Sequence, residues 1–332
     1  MSKSKSRFSV PQYVAGILKG DRVMLARAIT LVESALPTDQ ELAGELIREL
    51  MPFTGNSLRI GITGVPGVGK STFIDLFGKQ LVDQGYKIAV LTVDPSSQHT
   101  GGSILGDKTR MENLARDKRA FIRPSPAGLA LGGVGAKTRE SMLLCEAAGH
   151  GIIIVETVGV GQSEITVKGM VDFFLLLMLA GAGDELQGIK KGIMEIADAL
   201  VITKADGDNK KMSAQAKSAY ERALRLFPPH ENGWRPKVKT CSALENSGLQ
   251  EVWQMIREFE KQMKAGGFFE ANRARQRIEW MHTHSRFLLE NLFYRHKAVA
   301  EKLKNLEPLV LNGELSPISC ARDLVREFTR KL

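Results

Sequence analysis

Residues 64–71 read Gly-Val-Pro-Gly-Val-Gly-Lys-Ser, which satisfies the phosphate-loop pattern G-x-x-x-x-G-K-S. An apolar run at residues 58–63 precedes this loop, and an amphipathic stretch at residues 71–84 follows it. The pattern needs that order of strand, loop and helix, because its glycines let successive backbone N–H groups turn inward onto phosphate oxygens. The sequence therefore predicts an α/β chain that binds a nucleoside triphosphate.

The residues of the loop have separate predicted roles. Lys70 is expected to neutralise the β and γ phosphates, and the Ser71 hydroxyl is expected to ligate Mg²⁺. The predicted nucleotide-binding residues of this region are Gly64, Val65, Pro66, Gly67, Val68, Gly69, Lys70, Ser71 and Thr72.

Between residues 58 and 244, short apolar runs alternate with helical patterns, which is typical of βαβ units around a buried parallel sheet. Strands are predicted at residues 58–63, 88–93, 120–123, 152–156, 173–180, 200–203 and 238–240. The predicted fold class is a P-loop NTPase of the α/β class, with a mostly parallel central sheet flanked by helices. Its predicted parts are a helical N-terminal extension (1–56), a nucleotide domain (57–247) and a helical C-terminal region (248–332).

Both ends of the chain show helical periodicity. In the N-terminal extension, Thr38 and Glu41 are spaced for a capping box at the start of a third helix. In the C-terminal region, apolar and small residues recur at alternating spacings of three and four, a heptad seam. Two interpretations of this seam stay open, packing on the chain's own nucleotide domain and a subunit interface. Its members are Ala271, Ala274, Ile278, Met281, Ser285, Leu288 and Leu292.

A tetrapeptide at the end of the predicted strand 200–203 indicates which base is bound. It reads Thr203-Lys204-Ala205-Asp206. The Asp206 carboxylate can accept hydrogen bonds from both N1–H and the exocyclic amine of guanine, whereas adenine has an acceptor at the first position and no amine at the second. The Lys204 stem is expected to lie along the base, and Thr203 stands where Asn is commoner in GTPases.

A second short motif supports the choice of guanine. Residues 241–244 read Cys-Ser-Ala-Leu and follow the predicted strand 238–240. The backbone of Ser242 and Ala243 is expected to lie against guanine O6, and Leu244 completes the predicted binding segment. The motif is weak alone and gains its meaning from its position in the chain.

Three acids and a glycine are expected near the γ phosphate and its Mg²⁺. Glu156 ends a predicted strand and Gly159 follows three residues later, so the acid can hold the ion through water and the glycine N–H can reach the γ phosphate. Asp94 and Asp107 lie on segments expected to reach the nucleotide, where they would bind Mg²⁺ or position water. In the alternative interpretation, Asp94 opens a turn and Asp107 caps a helix.

The residue after Gly159 bears on the rate of hydrolysis. Ras-like GTPases place a water-orienting glutamine there, whereas this chain has Val160, with Gln162 two residues further on. The sequence therefore predicts a GTPase whose intrinsic hydrolysis is slow.

Composition narrows the function classes. The 332 residues carry a formal net charge of +9, but Lys and Arg are spread along the chain, so no nucleic-acid partner is expected. No apolar run approaches the roughly 20 residues that span a bilayer, so no membrane association is expected. Cys145, Cys241 and Cys320 form no paired spacing, which fits a reducing, cytoplasmic location.

Together these motifs resemble the MeaB/ArgK/MMAA family. The resemblance rests on residues 64–71, 93–97 (Val-Asp-Pro-Ser-Ser), 100–107 (Thr-Gly-Gly-Ser-Ile-Leu-Gly-Asp), 156–163 (Glu-Thr-Val-Gly-Val-Gly-Gln-Ser) and 184–192 (Asp-Glu-Leu-Gln-Gly-Ile-Lys-Lys-Gly), and it covers nearly the whole chain. This family comprises the G-protein chaperones of adenosylcobalamin-dependent methylmalonyl-CoA mutase, in the metallochaperone group of P-loop GTPases.

The resemblance implies several further properties. It implies GTP or GDP with Mg²⁺ as ligands, a homodimer held largely by C-terminal helices, and the mutase as partner. The family also implies that the segment 182–191 is a switch at the partner interface, with Lys190 linked to hydrolysis. Because the Cys and His clusters of metal-delivering members are absent near the loops, the chain is expected to handle no free metal ion itself. No directly bound cobalamin is expected, since the partners would carry that cofactor.

Two other functions remain open at this point. One is an ATPase or kinase linked to basic amino-acid transport (LAO/AO, arginine/ornithine), a description that relatives of this family have carried. The other is a GTPase partner of a different B12-dependent acyl-CoA mutase, such as an isobutyryl-type enzyme.

Overall fold

The computed structural model describes residues 7–94, 111–126, 133–157, 163–181 and 187–330. The chain forms two compact units, Met1–Gln276 and Arg277–Leu332. The predicted domain boundaries after residues 56 and 247 stay predictions.

Seven parallel strands form the sheet of the first unit, in the order β3-β2-β4-β1-β5-β6-β7. All seven predicted strands are confirmed, and the largest difference is at the end of β3, predicted at residue 123 and observed at 126. Since β1 lies between β4 and β5, the phosphate loop at its carboxyl end lies above the middle of the sheet. The strands are β1 (Leu58–Gly64), β2 (Ile88–Asp94), β3 (Ala120–Pro126), β4 (Ile152–Thr157), β5 (Phe173–Leu179), β6 (Ala199–Thr203) and β7 (Lys237–Thr240).

Helices cover both faces of this sheet. Successive residues of a strand point to opposite faces, and along β2 they alternate between two apolar clusters. One cluster includes α1–α3, α6 and the ends of α8 and α9, and the other includes α4, α5 and α10. The described helices that begin in this unit are α1 (Val10–Leu18), α2 (Arg22–Glu33), α3 (Pro37–Leu50), α4 (Lys70–Asp83), α5 (Glu112–Ala115), α6 (Gly133–Ala147), α7 (Ser163–Lys168), α8 (Gln187–Ile196), α9 (Asn209–Leu224), α10 (Leu249–Ala265) and α11 (Phe268–Tyr294), with a 3₁₀ turn at Met51–Phe53.

The N-terminal segment is helical as predicted, but one of the predicted caps is wrong. Helix α3 begins at Pro37 with Leu36 as N-cap, and no side chain caps it. Proline suits the first helical position because its fixed φ is already helical and it has no N–H to satisfy. Thr38 therefore lies inside the helix, and the predicted capping box with Glu41 does not form.

The second unit contains the end of α11 together with α12 (Lys297–Leu311) and α13 (Pro317–Thr329). The Phe293 and Phe328 rings pack edge to face with centroids 5.3 Å apart. Across the described ranges, no helix combines the length and apolar character needed to traverse a bilayer.

Candidate functional site

The phosphate loop joins the end of β1 to the start of α4. Gly67 and Gly69 have φ angles of +78° and +90°, in the left-handed region that favours glycine. At Gly64, an added Cβ would lie 2.7 Å from the Leu177 carbonyl oxygen on the neighbouring strand β5. Val68 is fully buried and anchors the middle of the loop. The predicted glycines are thus required by backbone conformation and by close approach.

Lys70 is the first residue of α4, and its ammonium lies over the loop. Its Nζ donates to the carbonyl oxygens of Gly64 (2.8 Å) and Val65 (3.3 Å). Burial lowers the Lys70 pKa, and the carboxylates of Glu156 and Glu164 oppose that shift only in part. A partly desolvated ammonium interacts strongly with an anion, so this position suits a bound phosphate.

Ser71 and Glu156 form an oxygen pair beside Lys70. The Ser71 hydroxyl donates to Glu156 Oε1 at 3.2 Å, and Glu156 is buried near the carboxyl end of β4. A hydroxyl and a carboxylate are the oxygen ligands that Mg²⁺ accepts alongside phosphate oxygens. These two residues, 85 positions apart in the sequence, are brought within hydrogen-bond distance of each other.

A hydrogen bond that the motifs did not indicate joins the two strands that carry the site. The Thr157 hydroxyl donates to Thr63 Oγ1 at 2.7 Å, and both residues are buried. Thr63 directly precedes the phosphate loop, and Thr157 is the last residue described before residues 158–162. A polar residue closing the apolar strand 58–63 is the one sequence signal that could have drawn attention to Thr63.

The base motif at the end of β6 is tied to the phosphate loop. The buried Thr203 hydroxyl has two acceptors, the carbonyl oxygens of Val68 at 2.7 Å and Met178 at 3.2 Å. Lys204 has a φ of +55°, and its Nζ donates to the Gly67 carbonyl at 3.0 Å. Lys204 therefore spans from the base motif to the loop, and the Thr203 hydroxyl is used for the same connection.

Asp206 and Ser242 come together although they lie on different loops. The Ser242 hydroxyl donates to Asp206 Oδ2 at 2.5 Å and accepts from the Glu245 N–H at 3.0 Å. The backbones of the two loops are also joined, since Ala205 N donates to the Cys241 carbonyl at 3.0 Å. The arrangement holds Asp206 Oδ2 in place.

The remaining residues of the second base motif differ in exposure. The Leu244 side chain is 87% exposed. Burial, with a smaller effect of Asp206, raises the Cys241 thiol pKa to about 12. That thiol is therefore neutral and inert at physiological pH.

Several predicted residues are placed only in part. Asp94 ends β2, and Lys190 lies in α8, but nothing is described of either side chain. Asp107 and Gly159 lie outside the described residues. Strands β2 and β1 both run parallel to β4. Asp94 therefore lies at the carboxyl ends of the strands, the same end of the sheet as the phosphate loop.

Comparison with known proteins gives concordant results. The family model described as methylmalonyl Co-A mutase-associated GTPase MeaB matches residues 25–298. The Escherichia coli protein named GTPase ArgK is 47% identical over 95% of this chain and 96% of its own length. The mouse protein named methylmalonic aciduria type A homolog, mitochondrial, is 45% identical over 99% of this chain and 81% of its own. A crystal structure described as an LAO/AO transport system kinase superposes with a TM-score of 0.75 at 40% identity, covering 97% of this chain and 99% of that one.

Proposed function

Because the chain belongs to the family of methylmalonyl-CoA mutase-associated GTPases, MeaB, we propose that it is a GTP-dependent chaperone that gates adenosylcobalamin loading and protection of methylmalonyl-CoA mutase. It is a GTPase that binds guanine nucleotide. The observation that carries the proposal is a match to the mutase-associated family over most of the chain, joined to a guanine-type site in which Ser242 orients Asp206.

The described residues suggest how the site works. Lys70 would neutralise the phosphates, and Ser71 and Glu156 would hold Mg²⁺. Magnesium, when bound, offsets charge that develops on the phosphate oxygens during transfer. We include Asp94, Asp107 and Lys190 in the proposed catalytic set, and Gly159 as the γ-phosphate contact. With Val160 after that glycine, intrinsic hydrolysis is expected to be slow, so the nucleotide state would time an event on a partner.

We also propose a homodimer that uses the α11 seam. In the single chain, Ile278, Met281, Leu288 and Leu292 are each more than half exposed. An apolar stripe of this kind on a long helix is typical of a subunit interface. Sedimentation of the full chain should give twice the 36.5 kDa monomer mass, and Met281→Glu with Leu288→Glu should give the monomer.

The proposed location is the cytoplasm. The three cysteines are buried free thiols, which suits a reducing compartment. Fractionation of the source cell, followed by detection of the chain, tests this location.

The decisive experiment measures protection of the mutase during turnover. The mutase from the same source is incubated with cofactor, substrate and the chain, with GTP or GDP, and its activity is followed over time. We expect the wild-type chain to slow inactivation in a nucleotide-dependent way and Lys70→Ala to lose that dependence. Lys79→Ala is the matched control, since Lys79 lies on the same helix and pairs with Asp83 at the surface. Equal protection by Lys70→Ala, or none by the wild type, would contradict the proposal.

One competing function has a specific observation in its favour. The similar crystal structure is described as an LAO/AO transport system kinase, which suggests an ATPase or kinase in basic amino-acid transport. Competition of GTP and ATP for the purified chain separates the two, and a clear preference for ATP would support the kinase. A GTPase for another B12-dependent acyl-CoA mutase is separated by parallel binding assays with the methylmalonyl and isobutyryl enzymes.

A further inference from the structure

A row of buried side chains crosses the sheet beside the proposed Mg²⁺ site. Thr92 of β2 and Ile62 of β1 both lie in register with Glu156 of β4, one on each side of it. Neighbouring strands are about 4.8 Å apart, so these two residues are the nearest lateral neighbours of Glu156. All three residues are buried. The carboxylate therefore has an apolar side chain on one side and a hydroxyl on the other.

The side chains of Thr92 and Glu156 lie on the same face of the sheet. On each of the two strands, the residues two and four positions earlier belong to the apolar cluster that includes α4. Side chains of a strand alternate between faces, so Thr92 and Glu156 point to that same side. The hydrogen bond from Ser71 to Glu156 agrees with this placement, since Ser71 lies in the first turn of α4. Thr92 thus lies beside the carboxylate on the side of the sheet that carries Ser71.

The Thr92 hydroxyl is an unsatisfied polar group. Only 2% of the residue is exposed, and Oγ1 has no hydrogen-bond partner within the described part of the chain. A buried hydroxyl without a partner lowers stability, and a valine of nearly the same shape would avoid that cost in a strand. Packing of the sheet therefore gives no reason for a hydroxyl here, and a ligand-bound state that uses it would.

The residues beside Thr92 indicate which ligand that is. The Ser71 hydroxyl and the Glu156 carboxylate are hard oxygen groups of the kind that suit Mg²⁺. Carboxylates that serve a metal ion are in turn held by hydrogen bonds from a surrounding layer of residues. In the structure Glu156 accepts from Ser71 at 3.2 Å, and Ser71 is the residue expected to ligate the ion. Thr92 supplies a second hydroxyl in the same row, and a change of its χ1 rotamer redirects that hydroxyl without moving the strand.

We propose that Thr92 is a positioning residue of the nucleotide site, whose hydroxyl donates to the Glu156 carboxylate when Mg²⁺ is bound and holds that carboxylate in place for the ion. Thr92 acts through Glu156 and contacts neither the nucleotide nor the reacting atoms. The proposal rests on the proposed Mg²⁺ site of Ser71 and Glu156, and it is independent of which mutase is the partner.

Manganese binding tests the proposal without any hydrolysis. The full chain is saturated with GDP and titrated with Mn²⁺, a paramagnetic substitute for Mg²⁺, and the free ion is followed by electron paramagnetic resonance. We expect Thr92→Val to bind Mn²⁺ about tenfold more weakly or worse, which is typical when a hydrogen bond to a metal-holding residue is lost. Thr92→Ser keeps the hydroxyl and should restore the affinity. GDP affinity in the presence of EDTA should be the same in all three chains.

Urea unfolding of the ligand-free chain separates positioning from a structural role. Because the hydroxyl has no partner in that state, Thr92→Val should unfold at the same urea concentration as the wild type or a higher one. Ser141→Ala is the matched control, since it also removes a buried hydroxyl that lacks a partner among the described residues. Ser141 lies on α6, which packs on the other face of the sheet, so its loss should leave Mn²⁺ affinity unchanged.

The possible failures are distinguishable. Equal Mn²⁺ affinity in Thr92→Val and the wild type would overturn the role of Thr92 and leave the Mg²⁺ site standing. A lower urea midpoint in Thr92→Val, or no restoration of affinity by Thr92→Ser, would assign the residue a structural role instead. If Glu156→Gln binds Mn²⁺ as tightly as the wild type, the proposed Mg²⁺ site is wrong and the role of Thr92 falls with it.

Discussion

Asp206→Asn tests the assignment of the base site with a change of a single atom. In the structure, Ser242 donates to Asp206 Oδ2 at 2.5 Å, which leaves Oδ1 and the second lone pair of Oδ2 for the two donors of guanine. An asparagine has one oxygen acceptor and one NH₂ donor where the carboxylate has two oxygen acceptors. Whichever way the amide is oriented, it therefore cannot accept from Ser242 and from both guanine donors as the carboxylate can.

The size of the effect follows from the hydrogen bonds that change. A hydrogen bond to a charged group contributes about 1.5–3 kcal/mol, and an unmatched donor in a site adds about 1 kcal/mol or more. The variant should therefore lose about 2–4 kcal/mol of guanine-nucleotide affinity, a factor of about 30 to 1,000. Xanthine has a carbonyl where guanine has its amine, so the asparagine amine can donate to it and XTP should gain affinity.

The assay is displacement of a fluorescent GDP analogue by GTP, XTP and ATP. Asp208→Asn is the matched control, since Asp208 is exposed in the same loop and its side chain caps no N–H of α9. We expect the GTP-to-XTP preference to fall sharply in Asp206→Asn and to stay unchanged in Asp208→Asn. An unaltered preference in Asp206→Asn would refute the assignment of this residue to guanine.

Three further predictions concern stability, each measured by urea unfolding. Thr157→Val should lower the free energy of unfolding by about 1–3 kcal/mol, because it leaves the buried Thr63 hydroxyl without this donor. The double variant with Thr63→Val should recover part of that loss. Strictly additive effects of the two substitutions would argue against an interaction between the hydroxyls. Burial acts to raise the Asp198 pKa, but Lys168 and His230 outweigh it and lower the pKa, so the native state binds fewer protons than the unfolded state near pH 4. Its contribution should thus be present at neutral pH and decline as the pH falls below about 4, and a pH-independent free energy of unfolding in that range would contradict it. Gly248→Ala places a Cβ 2.2 Å from a backbone oxygen of β7 at φ +81°, so it should lower the free energy of unfolding by about 3 kcal/mol or more. Gly55→Ala, at φ +97° with open space around it, should lower it by only about 1–2 kcal/mol. Equal losses in the two variants would rule out the steric argument.

Much of the fold could be predicted because the signals are local. Buried parallel strands are continuous apolar runs, so all seven were found from the sequence, although the end of β3 was placed three residues early, at 123 instead of 126. The start of α3 was misplaced because a Thr-x-x-Glu spacing was given more weight than the proline one residue earlier. Element boundaries depend on competition between such weak local preferences.

The candidate site was predictable in its residues and much less in its contacts. The phosphate loop and Asp206 follow from motif chemistry, and they stay functional predictions with a geometry that fits them. Thr203 was predicted only as a member of the base motif, and its hydroxyl donates to the Val68 carbonyl of the phosphate loop. That contact spans 135 positions of sequence, and no periodicity encodes it.

The sequence by itself determined the glycine loop and the alternation of strands and helices, and it carries the prediction that Asp206 selects guanine, because each depends on residues within one turn or one strand. Tertiary structure decided which of these meet. The strand order places β1 between β4 and β5, which pairs Thr63 with Thr157 and Ser71 with Glu156. It also brings Lys168 and His230 close to Asp198, which directly precedes β6 at the opposite, amino-terminal end of the strands. Such pairs form only once the sheet is assembled, since burial then forces each polar group to find a partner.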